Sequence, residues 1–194
     1  MAASGGHCGE ENHHHCYHNQ TNPSLHQNLD ELEFERGIWS SALAGDLDDV
    51  ARKLNSRDCI VNKTDKSGYT ALHYASRSGH LDVCKLLISH GADVNCQTQS
   101  SKATPLHRAA YMGRTEVVKL LLDHRADAEL IDCDGMTALH KASENGHYEA
   151  VAALVNASPS AVSVCDGRGR SPLDVAKTAE IRRILQASAA GLSS

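Results

Sequence analysis

Apolar residues recur along this chain in short runs of one repeated shape. "LDVCKLLI" (81–88), "EVVKLLL" (116–122) and "EAVAALV" (149–155) each place apolar side chains three and four residues apart, the spacing of one helix face. Ahead of each run lies a narrower pattern, "ALHYAS", "PLHRAA" and "ALHKAS", whose Leu and Ala pairs suit a helix that packs closely on its neighbours. Gly79, Gly113 and Gly146 separate the two patterns, where the first helix has to end in a left-handed residue. Each helix pair is too small to bury its own apolar face, so the pairs are expected to stack into a curved solenoid. The predicted class is all-α: helix-turn-helix units stacked in series and joined by hairpin tips.

The period is regular. Residues 68–95, 102–129 and 135–162 superpose without gaps, with a T-x-L-H motif whose Thr falls at 70, 104 and 137. Thr70, Thr104 and Thr137 are placed to cap a helix amino end, and Pro105 takes the first helical position, where a missing N–H costs nothing. Two weaker copies flank these. "IWSSALAGDLDDVARKL" offers Trp39 as an apolar plate beside the first full repeat; "GRSPLDVAKTAEIRRILQ" has Asp174 in place of the motif His and charges on its outer face. Both read as capping units, since the ends of a stack need polar exteriors.

These motifs resemble those of the ankyrin-repeat family, over residues 36–187. The organisation expected is a His- and Cys-rich acidic tail (1–28) read as disordered, capping helices (29–64), three repeats (65–97, 98–131 and 132–164), a carboxyl-terminal capping repeat (165–187) and a short tail (188–194). The resemblance implies that His73, His107 and His140 bond their motif Thr and a neighbouring backbone group. It also implies that function lies on the concave face of first helices and hairpin tips, that the chain binds protein without catalysis, and that Asn95 stands at a hairpin position open to asparaginyl hydroxylation. Glu129 occupies the corresponding place in the next repeat.

Composition narrows the chemistry. With 41% hydrophobic residues but one Phe and one Trp, the core has to come from Leu, Val, Ile and Ala. No apolar run reaches the length of a membrane span and the first residues hold no apolar leader, so an intracellular location is expected, cytoplasmic and also nuclear. Seven scattered cysteines read as free thiols rather than a disulfide framework. Residues 1–35 hold six acids and no Lys or Arg, while the remainder holds 18 acids against 19 bases, which does not suit a nucleic-acid binder. No phosphate-cradling loop, zinc-protease helix or nucleophile elbow is present, so neither an enzyme nor a cofactor is expected.

The register nominates a partner site: tip residues Lys66, Tyr69, Lys102 and Met136, and first-helix residues Tyr74, Arg77, Arg108, Tyr111, Met112, Lys141 and Glu144. Arg77, Arg108, Lys141 and Lys177 supply one cation per repeat, which suggests an acidic or extended peptide bound by a monomer. The chain's own residues 28–35, with Asp30, Glu31, Glu33 and Glu35, are candidates to compete for that face. Cys8, Cys16 and His18 form a loose candidate zinc set, although the cysteines are separated by seven residues rather than the usual two to four. Leu106 and Leu120 read as core. Lys102 and Arg125 stand where other repeats have glycine, so the second repeat is expected to be strained or differently turned.

Overall fold

The computed structural model describes residues 31–56 and 59–191. After a helical turn at 31–36, the chain forms paired helices: α1 (Ile38–Ala44) with α2 (Leu47–Leu54), α3 (Ala71–Ser78) with α4 (Leu81–Ser89), α5 (Pro105–Tyr111) with α6 (Thr115–Asp123), and α7 (Ala138–Asn145) with α8 (Tyr148–Ala157). A 3-10 turn (Pro159–Ser163) and a final helix α9 (Ala179–Gly191) follow, and no strand occurs among the described residues. First helices pack on first helices in the order α1, α3, α5, α7, and second helices form a parallel row from α2 to α8.

The core repeats with the sequence. Leu72, Leu106 and Leu139 from the first helices and Leu87, Leu121 and Leu154 from the second are all at most 1% exposed. Ala75, Ala109 and Ala142 are wholly buried, and their small side chains let successive first helices approach closely. Val50, Cys84, Val118 and Val151 form a matching buried column, so Cys84 serves there as a small hydrophobe. Leu120 is only half-buried, a correction to the sequence register: its neighbour Leu121 is the side chain that turns inward.

Each full repeat begins with the same reciprocal cap. The backbone N–H and hydroxyl of Thr70 meet His73 Nδ1 at 3.1 and 2.8 Å, and Thr104 and Thr137 repeat this with His107 and His140. An amide N–H can only donate, so Nδ1 is the acceptor and the ring proton sits on Nε2. That proton is passed to the following repeat: His73 to Ala103 O (3.0 Å), His107 to Met136 O (2.9 Å) and His140 to Arg170 O (3.1 Å). Burial pushes all three imidazoles down in pKa, His73 to about 4.

A second set of links runs backwards. His80 Nε2 reaches Leu43 O at 3.0 Å, Arg114 Nε reaches Arg77 O at 3.2 Å and His147 Nε2 reaches Tyr111 O at 3.0 Å. Each satisfies a carbonyl near the end of the preceding first helix, a group that the helix itself cannot pair.

At the amino end Trp39 is 2% exposed and donates to Lys63 O at 3.0 Å. Its ring lies so close to Gly37 that a Cβ there would come within 2.3 Å, which explains glycine ahead of α1. At the carboxyl end the first helix of the unit is reduced to a turn over residues 172–175. Asp174 takes the motif His role there, accepting from the N–H and hydroxyl of Ser171 at 2.8 and 2.7 Å. Helix α9 runs to Gly191, past the boundary at 187 expected from the repeat.

Candidate functional site on the inner face

Three of the hairpin tips share one local device. Asp65 Oδ1 accepts from the N–H groups of Ser67 and Tyr69, and Asp132 and Asp166 do the same two and four residues ahead. A glycine in the left-handed region closes each turn, its N–H bonded to the Asp carbonyl: Gly68, Gly135 and Gly169, with φ of 81°, 73° and 74°. The second tip differs. Thr98 replaces the Asp, one extra residue enters, and Lys102 closes the turn with its N–H on Thr98 O and φ of 50°. Arg125 is the other described non-glycine residue at positive φ, 63°, against 85° for Gly91 in the preceding repeat. The second repeat therefore keeps the left-handed turns and holds them with side-chain-bearing residues.

The residue after each closing position has its backbone held on two sides, and at the second and third tips its side chain turns inward. Asp132 N–H donates to Met136 O, which also accepts from His107, while Met136 N–H donates to Asp132. Met136 is consequently 5% exposed and Ala103 6%, so the expectation of Met136 as an outward tip residue is corrected. Tyr69, at the same position, is half-buried.

Several candidates meet one another instead of facing outward. Arg108 lies over the Tyr69 ring at 4.7 Å and donates to its hydroxyl; Tyr69 packs against Tyr74 at 5.6 Å; Tyr74 donates to Asp65 Oδ2 at 2.6 Å. Burial, with Asp65 beside it, raises the Tyr74 pKa, and burial lowers that of Arg108. Phe34 extends this ladder, edge-on to Tyr74 at 5.3 Å and stacked on Trp39 at 6.3 Å. The described part of the 28–35 segment thus reaches the face through a ring. Glu33 pairs instead with Lys63 at 3.1 Å, away from the first-helix cations, and Asp30 lies outside the described residues.

The cation row is reduced in the same way. Lys141 is bonded to Asp132 at 2.7 Å, with Asp134 at 3.9 Å and Met136 Sδ at 3.2 Å. Burial opposes charge on Asp132, but Lys141 and the Met136 and Asp134 N–H groups outweigh it and hold its pKa down. Arg77 and Lys177 remain exposed, so the expected stripe of four outward cations is corrected to two. Lys66, Lys102 and Glu144 are exposed, Tyr111 is 48% exposed and Met112 is half-buried. Between the third and fourth tips lies a recess of about 700 Å³ that Lys102, Asp134, Glu144 and Arg168 line with both signs of charge. Arg168 was not among the sequence candidates, though its place in "DGRGR" matches Asp134 in "DCDGM".

Asn95 bridges to the next hairpin, its Oδ1 accepting from Asp127 N–H at 2.8 Å and its Nδ2 donating to Arg125 O at 3.3 Å. Asn62 makes the same pair of bonds, to Asp93 N–H (2.9 Å) and Gly91 O (3.1 Å), and was missed; the "VN" at 61–62 and 94–95 is the signal. Glu129 bridges differently, accepting from the Ser158 and Ser160 hydroxyls.

Among the described residues no cluster of His, Cys, Asp and Glu is arranged to hold a metal, and no helix is long and apolar enough to cross a membrane. Cys8, Cys16 and His18 lie outside the described residues. Cys84, pushed up to about 11 by burial, is held as an uncharged thiol.

The family profile described as "Ankyrin repeats (3 copies)" matches residues 15–98, 38–132, 91–164 and 116–188. The chain belongs to the ankyrin-repeat family. Ankyrin repeats make it a protein–protein interaction module, and the family is generally noncatalytic. Among curated relatives, ankyrin repeat domain-containing protein 39 of Homo sapiens is 46% identical over 83 residues, covering 43% of this chain and 45% of that protein. The Bos taurus protein of the same name is 52% identical over 65 residues, covering 34% and 35%. Palmitoyltransferase akr1 of Schizosaccharomyces pombe is 43% identical over 58 residues, 30% of this chain but 9% of that protein. The aligned ankyrin segment spans under half the length of each relative.

Proposed function

We propose that this ankyrin stack is a noncatalytic adaptor or assembly factor that binds an extended segment of a protein partner on its inner face. The observation that carries this reading is the division of that face. Tyr69, Tyr74, Arg108 and Lys141 are spent on internal contacts, while Tyr111 stays 48% exposed on α5, with Met112 next to it at the helix end and exposed Arg77 on the neighbouring α3. Tyr, Arg and Met are the residue types enriched where interfaces concentrate their binding energy. The mixed charges around the third and fourth tips favour a partner segment carrying both signs over a purely acidic one.

The test is affinity capture with quantitative mass spectrometry, comparing the full chain with an Arg77→Ala, Tyr111→Ala, Met112→Ala variant. The expected outcome is loss of the bound partners by at least about tenfold, consistent with interface anchors worth about 2 kcal/mol or more. Unchanged capture by a variant whose thermal unfolding matches the wild type would remove the assignment.

A further inference from the structure

We propose that the amino-terminal end of the stack carries a second docking site, for a protein segment that presents a large apolar side chain beside a carboxylate. The end units of a repeat stack need polar exteriors. The carboxyl end complies: Glu180, Arg182 and Arg183 are exposed on α9 while Ile181 and Leu185 are buried. The amino end does not comply, since Ile60 is 66% exposed and Leu32 39% exposed. Both line a recess of about 460 Å³ that also includes Trp39 and Cys59. That volume falls within the range of about 300–1,000 Å³ typical of ligand-holding clefts, and an apolar side chain entering it would cover the two aliphatic groups.

Charge at the rim selects the occupant. Exposed Arg36 and Lys63 stand at the recess. Lys53 reaches it too, but its ammonium is held by Asp49 and the Gly37 carbonyl, each at 2.8 Å. Glu33, bonded to Lys63, is the one acid among the described lining residues, and with Lys53 held by Asp49 those residues keep one uncompensated positive charge, on Arg36. A second copy would bring a patch of the same net charge to this recess rather than the opposite one. An acidic partner segment meets both the apolar wall and the charge. Arg77, Tyr111 and Met112 do not line this recess, so the two sites can be tested apart.

A phage-displayed library of random twelve-residue peptides, panned against the full chain, reads the site directly. Enriched peptides should pair a large apolar residue with Asp or Glu. Their affinity should fall at least tenfold with Ile60→Asp plus Lys63→Glu, and stay unchanged with Tyr111→Ala. Both altered side chains are exposed, and Ile60→Ser alone gives the same readout with less perturbation. Peptides that bind the Ile60 and Lys63 variant equally well, or that depend on Tyr111, overturn the proposal. So does binding that appears only in a Leu25→Ser, Leu29→Ser full chain, which would mean that the protein's own amino-terminal residues hold the recess. A concentration-dependent dimer abolished by Ile60→Asp would assign the recess to a second copy and equally overturn it.

Discussion

Individual side chains in this protein are placed by backbone hydrogen bonds as much as by apolar pattern. Leu106 and Leu121 are at most 1% exposed, and truncating either to Ala should lower stability by about 2–5 kcal/mol, through lost burial and a cavity. Leu120, half-buried beside them, should lose clearly less when changed to Ala. Urea unfolding of the three variants checks the order, and equal losses would contradict the register. Helical spacing made Leu106 legible but could not separate Leu120 from Leu121, because the three consecutive leucines of "KLLLD" sweep about 200° around the helix and each fits some rotation of the apolar face. Met136 was misplaced for another reason: what turns it inward is a carbonyl shared between Asp132 N–H and His107, a contact between repeats that no single-repeat pattern contains.

At the level of elements, the caps and turns explain most of what could be foreseen. The Thr caps and the interrupting glycines announce where each helix begins and ends. The second tip departs from the pattern through Thr98, an added residue and Lys102 at φ of 50°, and Arg125 holds a second left-handed position at 63°. Left-handed backbone costs a residue with a Cβ about 1 kcal/mol or more. Lys102→Gly and Arg125→Gly should therefore each raise stability by about 0.5–1 kcal/mol, less than the full strain because glycine also loosens the unfolded chain. A fall in the urea midpoint for either variant would show that its side chain contributes more than its backbone costs. The glycine absences were visible in the sequence; the added residue was not, because the motif Thr steps of 34 and 33 absorb it without a gap. The internal ladder of Phe34, Tyr74, Tyr69 and Arg108 was hidden as well, since its members come from three separate stretches of the chain.

Across the whole molecule the repeats are tied by imidazole. His73, His107 and His140 each accept at Nδ1 and donate at Nε2, so a second ring proton would have to displace the Thr N–H, which can only donate. Their folded pKa values lie below that of an unfolded histidine, about 6.5. Stability from these groups is present above pH 6.5 and is lost as pH falls, for His73 down to about 4. Thermal unfolding followed between pH 7.5 and 4.5 should show the midpoint dropping through that window. A midpoint independent of pH there would contradict the bonding scheme. The solenoid itself was legible because its period is written in the chain, whereas the division of the inner face into committed and outward residues arises only when neighbouring repeats are brought together. Asp174 gives this chain of contacts a direction. On a ribosome, each repeat emerges with an imidazole donor still idle and a helix-end carbonyl still uncovered, and the next repeat to appear resolves both. A carboxylate accepts from Ser171 as the histidines accept from threonine, yet it has no proton to hand forward. A unit built around Asp174 can therefore close a run of histidine-linked repeats, because it holds no donor that waits on another repeat.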